Sequence, residues 1–509
     1  MCWQRVLAPL WLLLNVLPPA PLAALVKPPL PIRGWNSYDS VSAGGNASYI
    51  LQQAAVMEAS WLPSSKGGWN WLTIDGGWFS EPVEQWAPTE PKRIDEYGRP
   101  IGSKRFTADG DLAALAGSVH SRGLRFGLWF MGGLPAEAVE QDTPIKGTDY
   151  TARDLATNTT YCPRWARGWG WEVNHQHPAA QAWFDSLVEL WAGWKVDLIK
   201  LDCANAEDED WRHRLDIIRF SQAMQASPQD FVLSLSPGGF SNVSQLLDIR
   251  PFVSMARVTD DFWDVWEDYM NEGGGNGWAS GASHWDACES ANDSGIWALS
   301  FQKVQNVRAD RARDLVAAVS TSPRDSFWVD LDMLPFGRIG HGPPCPAPYA
   351  GVGPGCSRPS RFTPEEERSI LTLWMFARSP LLVGGDLRDM GNGTVQTLQN
   401  PRVLAMADDI DQSWEVLRRN ETGGGGFIAW TATSRSKPAA RYFAVFNLAA
   451  AARPSTSISA AELGLGAQHG VEVEELWGGT EPRRSPAGSL TVGRLAPHGV
   501  WLASVQGHG

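Results

Sequence analysis

The chain has 509 residues, of which 43% are hydrophobic, so it is long enough for two or three globular domains. Its 43 basic and 56 acidic residues give a net charge of −13, and this acidic balance disfavours nucleic acid and anionic membranes as partners. The 27 Trp against 8 Tyr favour a sugar ligand, because an indole face can stack on the apolar face of a sugar ring. Most of these tryptophans are nevertheless expected in the core.

The N-terminus predicts a secretory signal peptide over residues 1–24. Arg5 precedes an apolar stretch from Val6 to Leu17, and small residues follow at Ala23 and Ala24. This stretch is too short to span a bilayer, and no later segment has the length and apolarity of a membrane helix. Six N-glycosylation sequons begin at Asn46, Asn158, Asn242, Asn292, Asn392 and Asn420. The sequence therefore predicts a glycoprotein of the secretory pathway, either extracellular or in a lysosome or vacuole.

The cysteines predict few disulfides and no zinc site. Removal of the signal peptide removes Cys2 and leaves five of the six cysteines in an oxidising compartment, without C-x-x-C spacing. Cys345 and Cys356 flank a Pro- and Gly-rich loop, and we expect a disulfide between them. We expect Cys288 to be the unpaired thiol. Neither a metal nor an organic cofactor is expected.

Apolar runs of strand length alternate with amphipathic helical stretches from Pro31 to Leu387, which predicts a (β/α)8 TIM barrel over residues 25–390. The eight predicted strands are Ile32–Asn36, Trp69–Asp75, Leu124–Phe130, Val196–Asp202, Phe231–Pro237, Phe252–Thr259, Ser326–Leu334 and Pro380–Leu387. Ala179–Trp194 has helical periodicity, and a capping box begins a further helix at Thr363.

Short alternating runs replace the helical pattern after the barrel and predict a C-terminal antiparallel β-sandwich over residues 391–509. The predicted strands of this domain are Gly426–Thr431, Arg441–Asn447, Gly470–Leu476 and Val492–Val505.

Carboxylates at the predicted strand ends are the candidates for chemistry. The sequence has no G-x-S-x-G, H-E-x-x-H or P-loop motif, which disfavours serine hydrolases, zinc proteases and nucleotide hydrolases. Barrel enzymes place their active sites at the carboxyl ends of the strands. Two carboxylates facing across that rim, one ionised beside Lys200 and one with a raised pKa, suit glycoside hydrolysis, whereas a ring of acids could also bind Mg²⁺ or Ca²⁺. The candidates are Asp75, Asp202, Asp260, Asp261, Asp330 and Asp332.

Eight segments follow one another along the chain: Gly34–Ser37, Ile74–Trp78, His120–Leu124, Asp197–Asp202, Arg257–Trp266, Trp328–Leu334, Ser379–Leu382 and Asp386–Arg388. With these segments in this order, residues 31–387 resemble glycoside hydrolase family 27, which contains α-galactosidases and α-N-acetylgalactosaminidases.

The resemblance implies Asp202 as the nucleophile and Asp261 as the acid/base, because the family's acid/base lies four residues after the Arg matching Arg257. Asp260 is the alternative to Asp261. The resemblance also implies a disulfide between Cys162 and Cys203. The residues that it implies for the sugar pocket are Trp35, Asp75, Trp129, Lys200, Arg257 and Asp332.

Three positions depart from the family's pattern. Gly76 stands where the family has a second Asp, and Cys203 follows the nucleophile directly instead of two residues on. Strand five contains Ser234 and Ser236 and lacks the Glu-Trp or Ser-Trp segment that reads the 2-substituent of the sugar.

The resemblance implies a retaining exo-glycosidase that removes terminal α-linked galactose from glycoconjugates or oligosaccharides. The alternatives are activity on α-N-acetylgalactosamine, β-L-arabinopyranose or α-glucan, or a non-catalytic carbohydrate-binding protein. The expected partner is a carbohydrate, and the oligomeric state, including a homodimer, stays open.

Overall fold

In the computed structural model, the chain is described at residues 25, 27–62, 68–81, 91–162, 168–204, 213–236, 245, 248–257, 261–264, 266, 327–345, 355–419, 426–463, 465, 470–479, 481–485 and 488–507. The predicted signal peptide, Asp260 and Cys288 lie outside the described residues, as do the sequons at Asn242, Asn292 and Asn420.

Eight parallel strands form the barrel, one at each predicted position. Each strand pairs with the next one in the chain up to strand seven, and strand one also pairs with strand eight. The circle is completed just beyond strand seven, where Leu334 bridges to Val383 of strand eight. Barrel strands one to eight are Arg33–Asn36, Trp71–Ile74, Arg125–Phe130, Leu198–Asp202, Val232–Ser236, Met255–Arg257, Trp328–Asp330 and Leu381–Val383.

The barrel has apolar residues on both faces of its strands. In strand four, Ile199 and Leu201 belong to the core between strands and helices. Leu198 instead belongs to a layer inside the barrel, with Trp71 and Met255. Lys200 and Asp202 share the inward face with Leu198, because side chains alternate along a strand. An apolar floor therefore lies below a polar rim at the carboxyl ends of the strands.

Helices cover the barrel where the periodicity predicts them. Ala180–Gly193 matches the predicted helix at Ala179–Trp194. Thr363 caps Pro364–Ala377 through the predicted capping box with Glu366. The remaining α-helices of the described residues are Tyr38–Val41, Ala47–Ser60, Ala113–His120, Ala136–Glu140, Ala152–Leu155, Arg214–Ala226, Asn392–Leu398 and Pro401–Asp409.

Short additional elements decorate the barrel. Two small three-stranded sheets consist of Leu134–Pro135, Ala156–Thr160 and Gly170–Val173, and of Arg338–Ile339, His341–Pro344 and Cys356–Pro359. The 3-10 helices are Arg250–Phe252 and Leu387–Asp389. None of the helices in the described part of the chain combines the length and apolar character needed to cross a membrane.

The C-terminal domain is an antiparallel β-sandwich with its own apolar core. A six-stranded sheet faces a two-stranded one, and Phe443, Ile458 and Leu490 pack between them. The six-stranded sheet consists of Ile410–Arg419, Phe427–Ser434, Ala440–Asn447, Val500–Gly507, Val471–Glu475 and Arg483–Ser485, and the smaller one of Thr456–Ser459 and Ser489–Val492. The predicted strand Val492–Val505 therefore starts too early: Val492 ends the strand Ser489–Val492, and the next strand begins only at Val500.

The helix Pro401–Asp409, which lies beyond the predicted domain boundary at residue 391, packs against the barrel. The helix Pro401–Asp409 contributes Val403 and Leu404 to the core around the barrel. Arg33 of strand one forms an ion pair with Asp408 of the same helix. We therefore propose that the barrel domain extends to residue 409 and that the sandwich begins at Ile410.

Candidate active site

The predicted carboxylates meet at one rim because they stand at the carboxyl ends of parallel strands of the same barrel. Asp75 follows strand two, Asp202 ends strand four, and Asp330 ends strand seven with Asp332 two residues on. The cavity at this rim is lined by Asn36, Thr73, Leu198, Lys200, Ser234, Ser236, Asp330, Asp332, Met333 and Leu382.

Asp202 is held by hydrogen bonds to both of its carboxylate oxygens. Oδ2 accepts from the indole Nε1 of Trp129 at 2.9 Å, and Oδ1 accepts from the backbone N of Cys203 at 2.7 Å. Burial raises the pKa of Asp202, although Lys200, Arg257 and the Trp129 hydrogen bond act in the opposite direction. The site thus holds a desolvated carboxylate whose ionised form depends on these neighbours.

Lys200 pairs directly with Asp75 and not with Asp202. Its Nζ lies 2.8 Å from Asp75 Oδ2, which also accepts from Asn36 Nδ2 at 2.9 Å. Burial alone would lower the pKa of Lys200, but the negative charges of Asp75, Asp202 and Asp332 outweigh it and raise the pKa. Lys200 is therefore a fixed positive charge between the acids. Its effect on Asp202 is an electrostatic attraction without a direct ion pair among the described contacts.

Arg257 links strand six to the far side of the rim. Its Nη1 lies 2.7 Å from Asp261 Oδ1 and 3.3 Å from Asp332 Oδ2. The Asp261 side chain is 48% exposed, whereas that of Asp332 is 6% exposed. Burial, followed by the charge of Asp332, raises the pKa of Asp330 to about 6. Asp261 is thus the member of this group that reaches solvent.

Backbone strain accompanies the rim. Asp332 has φ +82° and Cys203 has φ +54°, in the left-handed region that side chains other than glycine seldom adopt. Trp374 Nε1 donates to the carbonyl of Asp332 at 2.8 Å, and the backbone N of Asp332 donates to Asp330 Oδ1 at 2.8 Å. The surrounding structure therefore fixes these residues in conformations that cost of the order of 1–3 kcal/mol each.

Two disulfides match the expected pairs. Cys162 is bonded to Cys203, with Cα atoms 6.0 Å apart, and ties the loop after strand three to the residue beside Asp202. Cys345 is bonded to Cys356, with Cα atoms 5.0 Å apart.

Trp35 does not line the cavity, contrary to the expectation from the resemblance. It is fully buried, its ring lies 6.2 Å from that of Tyr49 in the helix Ala47–Ser60, and its Nε1 donates to the carbonyl of Gly385 at 2.8 Å. Its neighbour Asn36 faces the cavity instead, because adjacent strand residues face opposite sides.

Tyr38 is the aromatic residue near the carboxylates that the sequence reasoning missed. Burial and the negative charges of Asp261, Asp75 and Asp202 raise the pKa of its phenol well above the usual value. The signal that could have identified it is its place just beyond the end of strand one, where rim residues lie.

A buried ion cluster that sequence reasoning did not identify supports the segment after Asp261. The side chain of Asp264 is 0% exposed and accepts from Arg358 Nη2 at 2.8 Å and from Arg361 Nη2 at 2.9 Å. Its partners lie 94 and 97 residues further along the chain. The backbone N of Phe262 donates to Asp332 Oδ2 at 2.8 Å, so the same segment is also tied to strand seven.

The described residues contain no group of three His, Cys, Asp or Glu side chains arranged to hold a metal ion. Lys200 and Arg257 lie between the rim acids and offset part of their negative charge.

Comparison with known proteins agrees with this architecture. Residues 424–505 match the α-galactosidase C-terminal β-sandwich domain. α-Galactosidase 2 of Arabidopsis thaliana is 24% identical over 450 residues, which is 88% of this chain and 82% of the relative.

Solved structures resemble the whole chain. The family 27 β-L-arabinopyranosidase of Geobacillus stearothermophilus superposes with a TM-score of 0.76 at 29% identity and covers 94% of this chain and 97% of its own. A variant of that enzyme in complex with arabinose gives a TM-score of 0.76 at 28% identity, over 95% of this chain and 98% of its own. The barrel, the sandwich and these relatives together indicate a glycoside hydrolase that is similar to the α-galactosidase-like enzymes of family 27.

Proposed function

We propose that the protein is a retaining exo-glycosidase that hydrolyses terminal α-linked galactose, with Asp202 as the nucleophile and Asp261 as the acid/base. The observation that carries this proposal is the pair of carboxylates on strand four and after strand six, with Lys200 and Arg257 between the acids of the same rim.

The different surroundings of Asp202 and Asp261 suit them to different catalytic roles. Asp202 is buried and receives two hydrogen bonds, which suits a carboxylate that attacks the anomeric carbon from a fixed position. Asp261 is half exposed, which suits a group that exchanges protons with a leaving group and then with water.

The reaction then has two steps. Asp202 forms a bond to the anomeric carbon while Asp261 gives its proton to the departing glycosidic oxygen. Asp261 next takes a proton from water, which attacks the same carbon and releases the sugar with its original anomeric configuration. We expect the two carboxyl groups to lie about 5–5.5 Å apart, the separation of retaining enzymes.

The other residues at this rim would hold the sugar ring. Asp75 and Lys200 form a charged pair that can bind two ring hydroxyls, and Trp129 borders the nucleophile. Ser236 lies opposite Asp202 in the pairing of strands four and five, and its buried Oγ has no hydrogen-bond partner among the described residues. We propose that this hydroxyl contacts the 2-position of the sugar.

A second substrate is β-L-arabinopyranose, which has the ring configuration of α-D-galactose without its hydroxymethyl group. Two observations favour it: the likeness to the Geobacillus enzyme, and Gly76 where the family has a second Asp. A glycine in place of an aspartate supplies no side-chain hydrogen bond to a sugar hydroxyl.

Aryl glycosides of the two sugars, with the N-acetylgalactosaminide and glucoside as comparators, test the specificity. We expect the highest kcat/KM with the α-galactoside and a smaller preference over the N-acetylgalactosaminide than over the glucoside. A preference for the glucoside would contradict the sugar assignment, and turnover of none of the four would favour a carbohydrate-binding protein.

Single substitutions test the catalytic pair. D202N and D261N should each lose most activity on an unactivated substrate while keeping the wild-type unfolding temperature, because neither carboxylate can replace the other. A folded D202N variant with near-normal turnover would exclude Asp202 as the nucleophile.

We also propose that the protein enters the secretory pathway. The sequon residues Asn46, Asn158 and Asn392 are exposed, and the two disulfides fit an oxidising compartment. Expression in eukaryotic cells should give a product that N-glycosidase treatment shifts to lower mass, with residues 1–24 absent. An unshifted product that retains residues 1–24 would contradict this.

A further inference from the structure

The segment 261–264, which carries Asp261, is fixed to the barrel at several points. Phe262 packs against Trp374 with ring centroids 4.8 Å apart, and Asp264 is held by Arg358 and Arg361. These contacts anchor the chain just after the acid/base. Two residues beyond this segment, Trp266 contacts the C-terminal sandwich.

The ring of Trp266 stacks on the imidazole of His498, a residue of the sandwich domain. Their centroids are 4.4 Å apart and their planes differ by 13°. This separation and near-parallel geometry are those of a stacked aromatic pair. The contact joins the two domains five residues after Asp261 in the sequence.

His498 is itself held rigidly against the barrel. Its Nδ1 lies 2.6 Å from Glu366 Oε1 in the helix Pro364–Ala377, and its carbonyl accepts from Ser369 Oγ at 2.6 Å. Burial would raise the pKa of Glu366, but hydrogen bonds from His498 and Thr363 outweigh it and lower the pKa. The imidazole plane is thereby fixed as a platform for Trp266.

We propose that His498 is a positioning residue for proton transfer, acting through Trp266 on the segment that carries Asp261. The proposal rests on the assignment of Asp261 as the acid/base. Proton transfer requires hydrogen-bond reach, and small displacements of a catalytic group reduce its effect strongly. The sandwich domain thus contributes to catalysis without supplying a group that touches the sugar.

The test uses two α-galactosides that differ in their need for an acid. A dinitrophenyl leaving group departs without protonation, whereas a methoxy leaving group needs a proton from Asp261. H498N removes the stacking ring and keeps a residue type that tolerates the left-handed backbone of His498, which has φ +54°. H498F keeps the ring.

We expect H498N to lower kcat/KM roughly tenfold for the methyl galactoside and less than about twofold for the dinitrophenyl galactoside. H498F keeps an aromatic ring but loses the hydrogen bond to Glu366 and is less suited to the left-handed backbone, so its loss with the methyl galactoside should lie between that of the wild type and that of H498N. W266L removes the same stack from the other side and should reproduce H498N, so it decides the question if H498N does not fold. Equal losses with both substrates in these variants, or a loss in H498F as large as in H498N, would overturn the proposal.

The matched control is W477F. Trp477 of the sandwich donates to Thr372 Oγ1 at 3.0 Å in the same helix and so joins the domains away from Trp266. W477F should show no dependence on the leaving group, and a loss like that of H498N would mean that general loosening of the domains is the cause. D261N distinguishes the acid/base assignment from the positioning role. If D261N does not lose more kcat/KM with the methyl galactoside than with the dinitrophenyl galactoside, the acid/base assignment fails. If D261N shows this difference and H498N does not, only the positioning role of His498 fails.

Discussion

The hydrogen bond from Trp129 to Asp202 predicts a specific change in the pH profile. W129F removes the indole N–H, which lies 2.9 Å from Asp202 Oδ2, and keeps an aromatic ring in the buried site. A hydrogen bond to a charged group contributes about 1.5–3 kcal/mol, and one pKa unit corresponds to about 1.4 kcal/mol. The loss should therefore raise the pKa of Asp202, already raised by burial, by roughly one to two units.

The assay is kcat/KM for an aryl α-galactoside as a function of pH. Because the nucleophile reacts as the carboxylate, its acid limb should move to higher pH in W129F by roughly one to two units. W78F is the control: Trp78 donates to the carbonyl of Trp129 at 2.8 Å, so it should lower thermal stability and leave the acid limb in place. An acid limb in folded W129F that coincides with that of the wild type would refute the reasoning.

Two further predictions concern Glu367 and Ser236. Burial raises the pKa of Glu367 from 4.5 to about 7, so the folded state binds the proton more tightly and stability should fall as pH rises from about 4.5 to about 7. E367Q should remove this decline, of up to about 3 kcal/mol, in urea unfolding at about pH 5 and pH 8, and parallel pH dependences of wild type and variant would contradict it. S236A should lower kcat/KM up to about tenfold for the α-galactoside but leave the 2-deoxy analogue unchanged; equal losses with both would exclude a contact to the 2-hydroxyl.

The barrel was predictable because its strands are apolar runs separated by helical periodicity, and each of the eight lies within its predicted range. The acids at the strand ends could also be found, since parallel strands bring their carboxyl ends to one edge. The resemblance assigned Trp35 to the pocket by its position in a motif, and a motif match does not show which face of a short strand a residue occupies. The partners of Asp264 were not predictable, because ion pairs between residues 94 and 97 positions apart leave no local pattern.

The central claim is that Asp202 becomes covalently attached to the sugar, while Asp261 donates a proton to the leaving group and later accepts one from water. The most direct measurement is peptide mass mapping of D261N after reaction with the dinitrophenyl α-galactoside, since this variant can form the intermediate but lacks the base that activates water for its hydrolysis. We predict that the peptide containing Asp202 gains the mass of one hexosyl residue, with fragmentation placing the addition on Asp202. Attachment to a different residue, or turnover of this substrate without any covalent adduct, would contradict the account.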